Sequence, residues 1–294
     1  MREGWPEMAM TSIQPARPAG AVALPAAAGR AGFGGALRSE LTKIRSVRST
    51  YWTLLALVVA CVGIGALFSW GEAQQVASLA GTREGAVVAA RAHEQAVATS
   101  LFGLLIGQLV IVVLGALTIT SEYSTGMIRT SLTTMPRRGT VFAAKAIVFG
   151  VVALVVGLIT SFGSFFAGQA ILSTQHVGTV LGQPGVLRAV IGGGLFLTVC
   201  GLLSFGIGAL LRHTAGAITA SIGLTFVLYM LSGFLPDNWA VHIDKWIPFN
   251  AGAAIWEQLS GRDMFHPWTG FAVFCGYAAI AIAGGLILFR RRDA

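Results

Sequence analysis

Apolar runs of span length dominate the chain, separated by short polar stretches. Residues 51–70, 99–121, 189–211, 214–236 and 268–289 form five of them. A sixth, third in order, is drawn at 142–167, with its uninterrupted part starting after Lys145. About 20 helical residues at ~1.5 Å each cross a hydrocarbon core of ~30 Å, and every run meets that length. Before the first run, Leu37, Leu41, Ile44, Val47 and Tyr51 recur at helical spacing, with Arg38, Lys43, Arg45 and Arg48 around the rest of the circumference. The spacing predicts a basic amphipathic helix over 37–52, its apolar face in the membrane interface and its basic side toward anionic headgroups.

The polar stretches fix the rest of the layout. Residues 1–35, broken by Pro6, Pro15, Pro18 and Pro25, read as a disordered tail, leaving 36–294 as one transmembrane domain. Residues 71–98 are mildly polar and Ala-rich, and extend the first two helices past the membrane. Residues 237–267 hold five aromatics and are broken up by Pro236, Pro248 and Pro267, a composition suited to the membrane–water boundary, and Ala251 to Leu259 reads as a short interfacial helix. Six spans place both termini on one side. That side, with the 122–145 loop and Arg212, collects 15 of the 20 Lys and Arg residues. The positive-inside rule makes it cytoplasmic, and the expected location is the plasma membrane. With 55% hydrophobic and 11% charged residues, against ~25% charged in soluble domains, the fold class is an all-α integral membrane protein. The net charge of +8 lies scattered between the apolar runs, which argues against nucleic acid as a partner.

Several chemistries have no residues to carry them. None of Lys43, Lys145 and Lys245 follows a glycine, so no phosphate-binding GxxxxGK[ST] loop exists. His93-Glu94 lacks the second histidine of a zinc protease, and Cys61, Cys200 and Cys275 lie singly inside apolar runs. No catalytic, metal or cofactor residue is assigned. The runs are also read as free of Asp, Glu, Lys and Arg, which leaves an ion-coupled transporter without a relay and assigns any driving energy to a partner. Glycines crowd them, notably Gly103, Gly107 and Gly192 to Gly208, and fit close helix packing. Gln108, Ser161, Ser164, Thr198, Ser204, Thr219, Thr225 and Tyr229 could line a pathway, and each is expected to bond its own helix or a neighbour.

The loop from Ser121 to Lys145 is the most distinctive segment. Ser124 to Gly126 read as a turn, Met127 to Leu132 as a short helix stopped before Pro136, and Arg137 and Arg138 as headgroup anchors. Glu122, Tyr123, Gly126, Ile128, Arg129, Leu132, Pro136, Arg137 and Lys145 give the pattern E-Y-x-x-G-x-I-R-x-x-L-x-x-x-P-R followed by the lysine. This pattern resembles that of ABC-2 type permeases, the membrane subunits of ATP-binding-cassette exporters, although Met127 stands where that family often has Thr. The resemblance covers about residues 37–290. It implies that the loop holds a coupling helix which docks on a separate ATPase, and that two permease subunits and two ATPases form the working unit. ATP would then be used by the partner, with no cofactor bound here. Glu122 and Arg129, seven residues apart, are expected to set the loop's angle. The interfacial-helix residues are Leu37, Leu41, Ile44, Arg45 and Arg48. A non-transporting membrane scaffold and a secondary transporter are the alternatives.

Overall fold

The computed structural model describes residues 32–46, 48–124, 138–257 and 264–291. Helix α1 (Phe33–Ser46) leads into α2 (Arg48–Ser78), followed by α3 (Arg83–Leu101), α4 (Leu104–Ser124), α5 (Arg138–Leu172) and α6 (Val186–Leu211). Next come α7 (Thr214–Ile222), a π-helical turn (Gly223–Val227) and α8 (Leu228–Ser232), then α9 (Asp237–Ile243), α10 (Pro248–Ala253) and α11 (Pro267–Arg291). Six helical segments are long and apolar enough to cross a membrane: Ser49–Ser78, Arg83–Tyr123, Gly139–Gln175, Val186–Leu211, Thr214–Ser232 and Pro267–Arg290. The protein is a multi-pass, all-α membrane protein of six spanning helices.

Burial identifies the centre of the bundle. In α6, 72% of the most apolar stretch is buried, against 17–50% in the other spans, so α6 is the post around which the rest is arranged. It packs on α4, α5 and α11. Its glycines make the approach possible: a Cβ at Gly206 would lie 2.7 Å from the backbone of Ala281 and Ile282 on α11. The same holds for the second span, where a Cβ at Gly103 would overlap the Cys61 backbone on α2. Glycine density here serves packing within the chain.

The long polar flanks are helical, as their composition predicts, with α2 running to Ser78 and α3 starting at Arg83. Thr82 caps α3, accepting a 2.9 Å hydrogen bond from the Gly85 N–H. The second span is two helices joined by a turn at Phe102–Gly103, where the chain approaches α2 closely. Most hydroxyls in the spans bond backbone carbonyls, as expected: Ser161 donates to Val190 and Ser204 to Val112, both at 2.6 Å and both across helices. Gln108 and Ser164 are buried with no hydrogen-bond partner among the described residues.

Three expectations are corrected. The N-terminal helix starts at Phe33, ahead of the expected residue 37; its described part runs to Ser46, and Tyr51 belongs to α2. The proposed interfacial helix over Ala251 to Leu259 is instead α10, closed by a turn at 254–256 and packed into the bundle. Phe249, Ile255 and Trp256 are buried there, and the ring of Phe196 on α6 meets those of Phe249 and Trp256. Aromatic rings placed against α6 and α11 remove more apolar surface than rings lying on the bundle. Trp239 and Trp246 stay exposed at the rim. Finally, the spans are not free of charge, because Lys145 lies within the spanning segment Gly139–Gln175 and is 5% exposed.

Candidate functional site

Lys145 lies one to two turns into α5, where an isolated ammonium would be expensive to bury. The sequence supplies two carboxylates to meet it. Glu122, on the last turn of α4, accepts from the Lys145 ammonium at 2.7 Å through Oε1. Glu40 accepts from it at 2.6 Å through Oε2. Glu40 sits on α1 with Lys43 one turn later, and Lys43 Nζ reaches both carboxylates, at 2.8 Å to Glu40 and 3.0 Å to Glu122. Two anions and two cations thus form a closed square joining α1, α4 and α5. The side chains of Glu40, Glu122 and Lys145 are 5–7% exposed, and that of Lys43 is 38% exposed. Burial pulls the Lys43 pKa down, but its hydrogen bonds to Glu40 and Glu122 and their charges outweigh this and hold it above the usual lysine value.

The square explains the orientation of α1. Ala36, Glu40 and Lys43, spaced four and three apart, face the bundle, with the first two buried. Leu41 faces outward and is 42% exposed, Arg45 is exposed and Leu37 is half-buried. Lys43 therefore does not belong to the headgroup face on which its spacing placed it. Partners inside the bundle outweighed the solvation it would find outside. Ile44 lies within α1, and Arg48 is the first residue of α2.

Tyr123, next to Glu122, turns to the other side of α4. Its ring lies under the Arg212 guanidinium, 4.9 Å from the centroid. Arg212 ends α6 in a left-handed conformation, φ 57°, its N–H bonding the Gly208 carbonyl at 2.9 Å. Its guanidinium also donates to the Leu288 carbonyl of α11 at 3.2 Å. Nearby, the Phe142 ring packs at a tilt against those of Phe205 and Phe289, with centroids 5.1 and 5.5 Å away. Adjacent residues Glu122 and Tyr123 thereby attach the end of α4 to different pairs of helices, Glu122 to α1 and α5, Tyr123 to α6 and α11.

Of the residues singled out in the loop, Glu122 is buried and Tyr123 half-buried. Gly126, Ile128, Arg129, Leu132, Pro136 and Arg137, with the turn and short helix expected there, lie outside the described residues. The Glu122 carboxylate is taken by Lys43 and Lys145, whatever Arg129 contributes to the loop. Sequence reasoning missed Glu40 and gave Lys145 no structural role. A signal was available: between residues 8 and 292, the side that collects the basic residues holds only two acids, Glu40 and Glu122, and two of the chain's three lysines.

Beside the square lies a cavity of about 550 Å³, lined by α1, the first turns of α2, α4 and α5. Glu122, Lys43 and Lys145 stand at its polar end, while Ile111, Leu114, Phe149 and Val152 form its apolar wall. Among the described residues no cluster of His, Cys, Asp and Glu is arranged to hold a metal ion.

Comparison with known proteins gives one clear result. A model of the ABC-2 family of transporter proteins matches residues 38–294. A comparison with curated proteins returned no match.

Proposed function

The chain belongs to the ABC-2 transporter family and is the permease subunit of an ABC transporter; from that premise we propose that it exports its cargo, driven by a separate ATPase that docks on the loop between α4 and α5. The observation that carries this reading is the 2.7 Å pair between Glu122 and Lys145, the charged residues at the two ends of that loop. A displacement of the loop is delivered through this pair to both spanning helices at once, and through Glu40 to α1. Hydrogen bonds between full charges are short and strong, and a buried network of them transmits motion better than apolar contacts that slide. Charge balance supports the direction of the reading. Lys145 is an ionisable group within a span, but it is paired near the end of its helix, which suits a mechanical fastening better than an ion relay.

In this reading Gly126, Ile128, Arg129, Leu132, Pro136 and Arg137 form the ATPase contact, and the permease itself holds no nucleotide. Two permease subunits and two ATPases assemble in the plasma membrane with both termini of each permease in the cytoplasm, as the 15-to-5 division of basic residues requires. The cargo is amphipathic or lipophilic. Cysteine labelling on intact cells, in a background with Cys61, Cys200 and Cys275 replaced, tests the arrangement. Thr82→Cys should react with an impermeant maleimide, Ser131→Cys should be protected, and the wild-type chain should co-purify with a P-loop ATPase. External labelling at Ser131, or purification with no ATPase, would refute it.

A further inference from the structure

The cavity beside the ion-paired square is not closed off from the lipid. A second groove, about 400 Å³ and nearly all apolar, runs between α2 and α5 on the outside of the bundle. Thr50, Leu54 and Val152 line both, so the two spaces share a wall made by the start of α2 and by α5. Leu55 and Ile159 in the groove are 51% and 56% exposed, and the exposed Arg45 stands at its head. We propose that the cavity binds one glycerophospholipid, its phosphodiester at Lys43 and an acyl chain along the wall formed by Ile111, Leu114 and Phe149.

Each part of the lipid finds a counterpart. Lys43 spends two of its three N–H donors on Glu40 and Glu122, and its side chain is 38% exposed, so the third serves a ligand oxygen. Arg45 adds a second cation near the mouth, where the square itself is neutral. The Thr53 and Thr118 hydroxyls donate to the carbonyls of Ser49 and Leu114, and present oxygens that accept from a headgroup ammonium or hydroxyl. The volume lies in the range of ligand-sized pockets, and the apolar wall gives a chain somewhere to go. A free phosphate would match Lys43 and leave that wall facing water, which the hydrophobic effect opposes. The site is independent of the ATPase reading.

The test uses the full chain in vesicles containing a phosphatidylethanolamine with a diazirine on one acyl chain. After photolysis, labelled residues are mapped by peptide mass spectrometry. Label is expected on Ile111 and Phe149, which are 2% and 6% exposed, as well as on the lipid-facing Val155 and Ile159. Thr118→Trp, which fills the cavity, should remove the inner label and keep the outer, while Thr118→Val keeps both and guards against misfolding. Lys43→Gln should lower inner labelling about tenfold, the equivalent of one charge-assisted hydrogen bond. A diazirine diacylglycerol, lacking the phosphodiester, should label the inner positions weakly in the wild type. Excess glycerol 3-phosphate should not compete. Unlabelled Ile111 and Phe149, inner label that survives Thr118→Trp, equal labelling by diacylglycerol, or loss of label to glycerol 3-phosphate would each overturn the proposal.

Discussion

At the scale of single residues, the account turns on charges that cannot be removed one at a time. Glu122→Ala leaves Lys145 buried with only Glu40 facing it, and breaking a buried pair costs about 3–5 kcal/mol. Thermal unfolding in detergent should show a large loss for Glu122→Ala. The double variant Glu122→Ala/Lys145→Ala should be more stable than either single variant, because it leaves no unpaired charge at that contact. Losses that simply add would show that the two side chains do not interact. Glu257 makes a separate prediction. Burial at the end of the α10 segment pushes its carboxyl up to about 7, so the folded state binds a proton more readily than the unfolded chain. Stability from this group is fully present below the ordinary carboxylate value of 4.5 and is lost as pH rises toward about 7. Melting temperature should fall over that interval, and Glu257→Gln should flatten the fall.

At the scale of elements, helix packing and helix placement were legible to different degrees. The spans were legible because apolar runs long enough to cross a bilayer have few other uses, and the flanking extensions of α2 and α3 followed from unbroken Ala-rich sequence. The rotation of α1 was not. Its spacing defines an apolar stripe, but Ala36, Glu40 and Lys43 define a competing stripe whose value depends on Glu122 and Lys145, dozens of residues away. Periodicity along one helix carries no information about such partners. The burial of α10 was missed for a similar reason. Aromatics suit both an interface and a core, and only the room beside Gly192 and Gly252 decides between them. Close packing can be tested at Gly103, where a side chain meets the backbone of Cys61. Gly103→Val should lower the melting temperature by the equivalent of at least ~1–3 kcal/mol, as overpacking does. Gly63→Ala, with open space around it, should leave it nearly unchanged.

At the scale of the whole molecule, α6 is the buried central helix, and the elements grouped around its charged end are fastened by Glu122 on one side and Tyr123 on the other. The paired ends of α4 and α5 flank the loop whose sequence first pointed to the ABC-2 family. The central claim is that this loop receives the ATPase. The most direct measurement is the affinity of the detergent-solubilised permease for the proposed partner ATPase, compared across Gly126→Val, Arg129→Ala and Arg83→Ala. The account predicts that the two loop variants melt like wild type and bind the ATPase at least about tenfold more weakly, a loss of ~1.4 kcal/mol. Arg83→Ala, at the far end of the bundle, should bind as wild type does. Wild-type affinity in both loop variants would contradict the account.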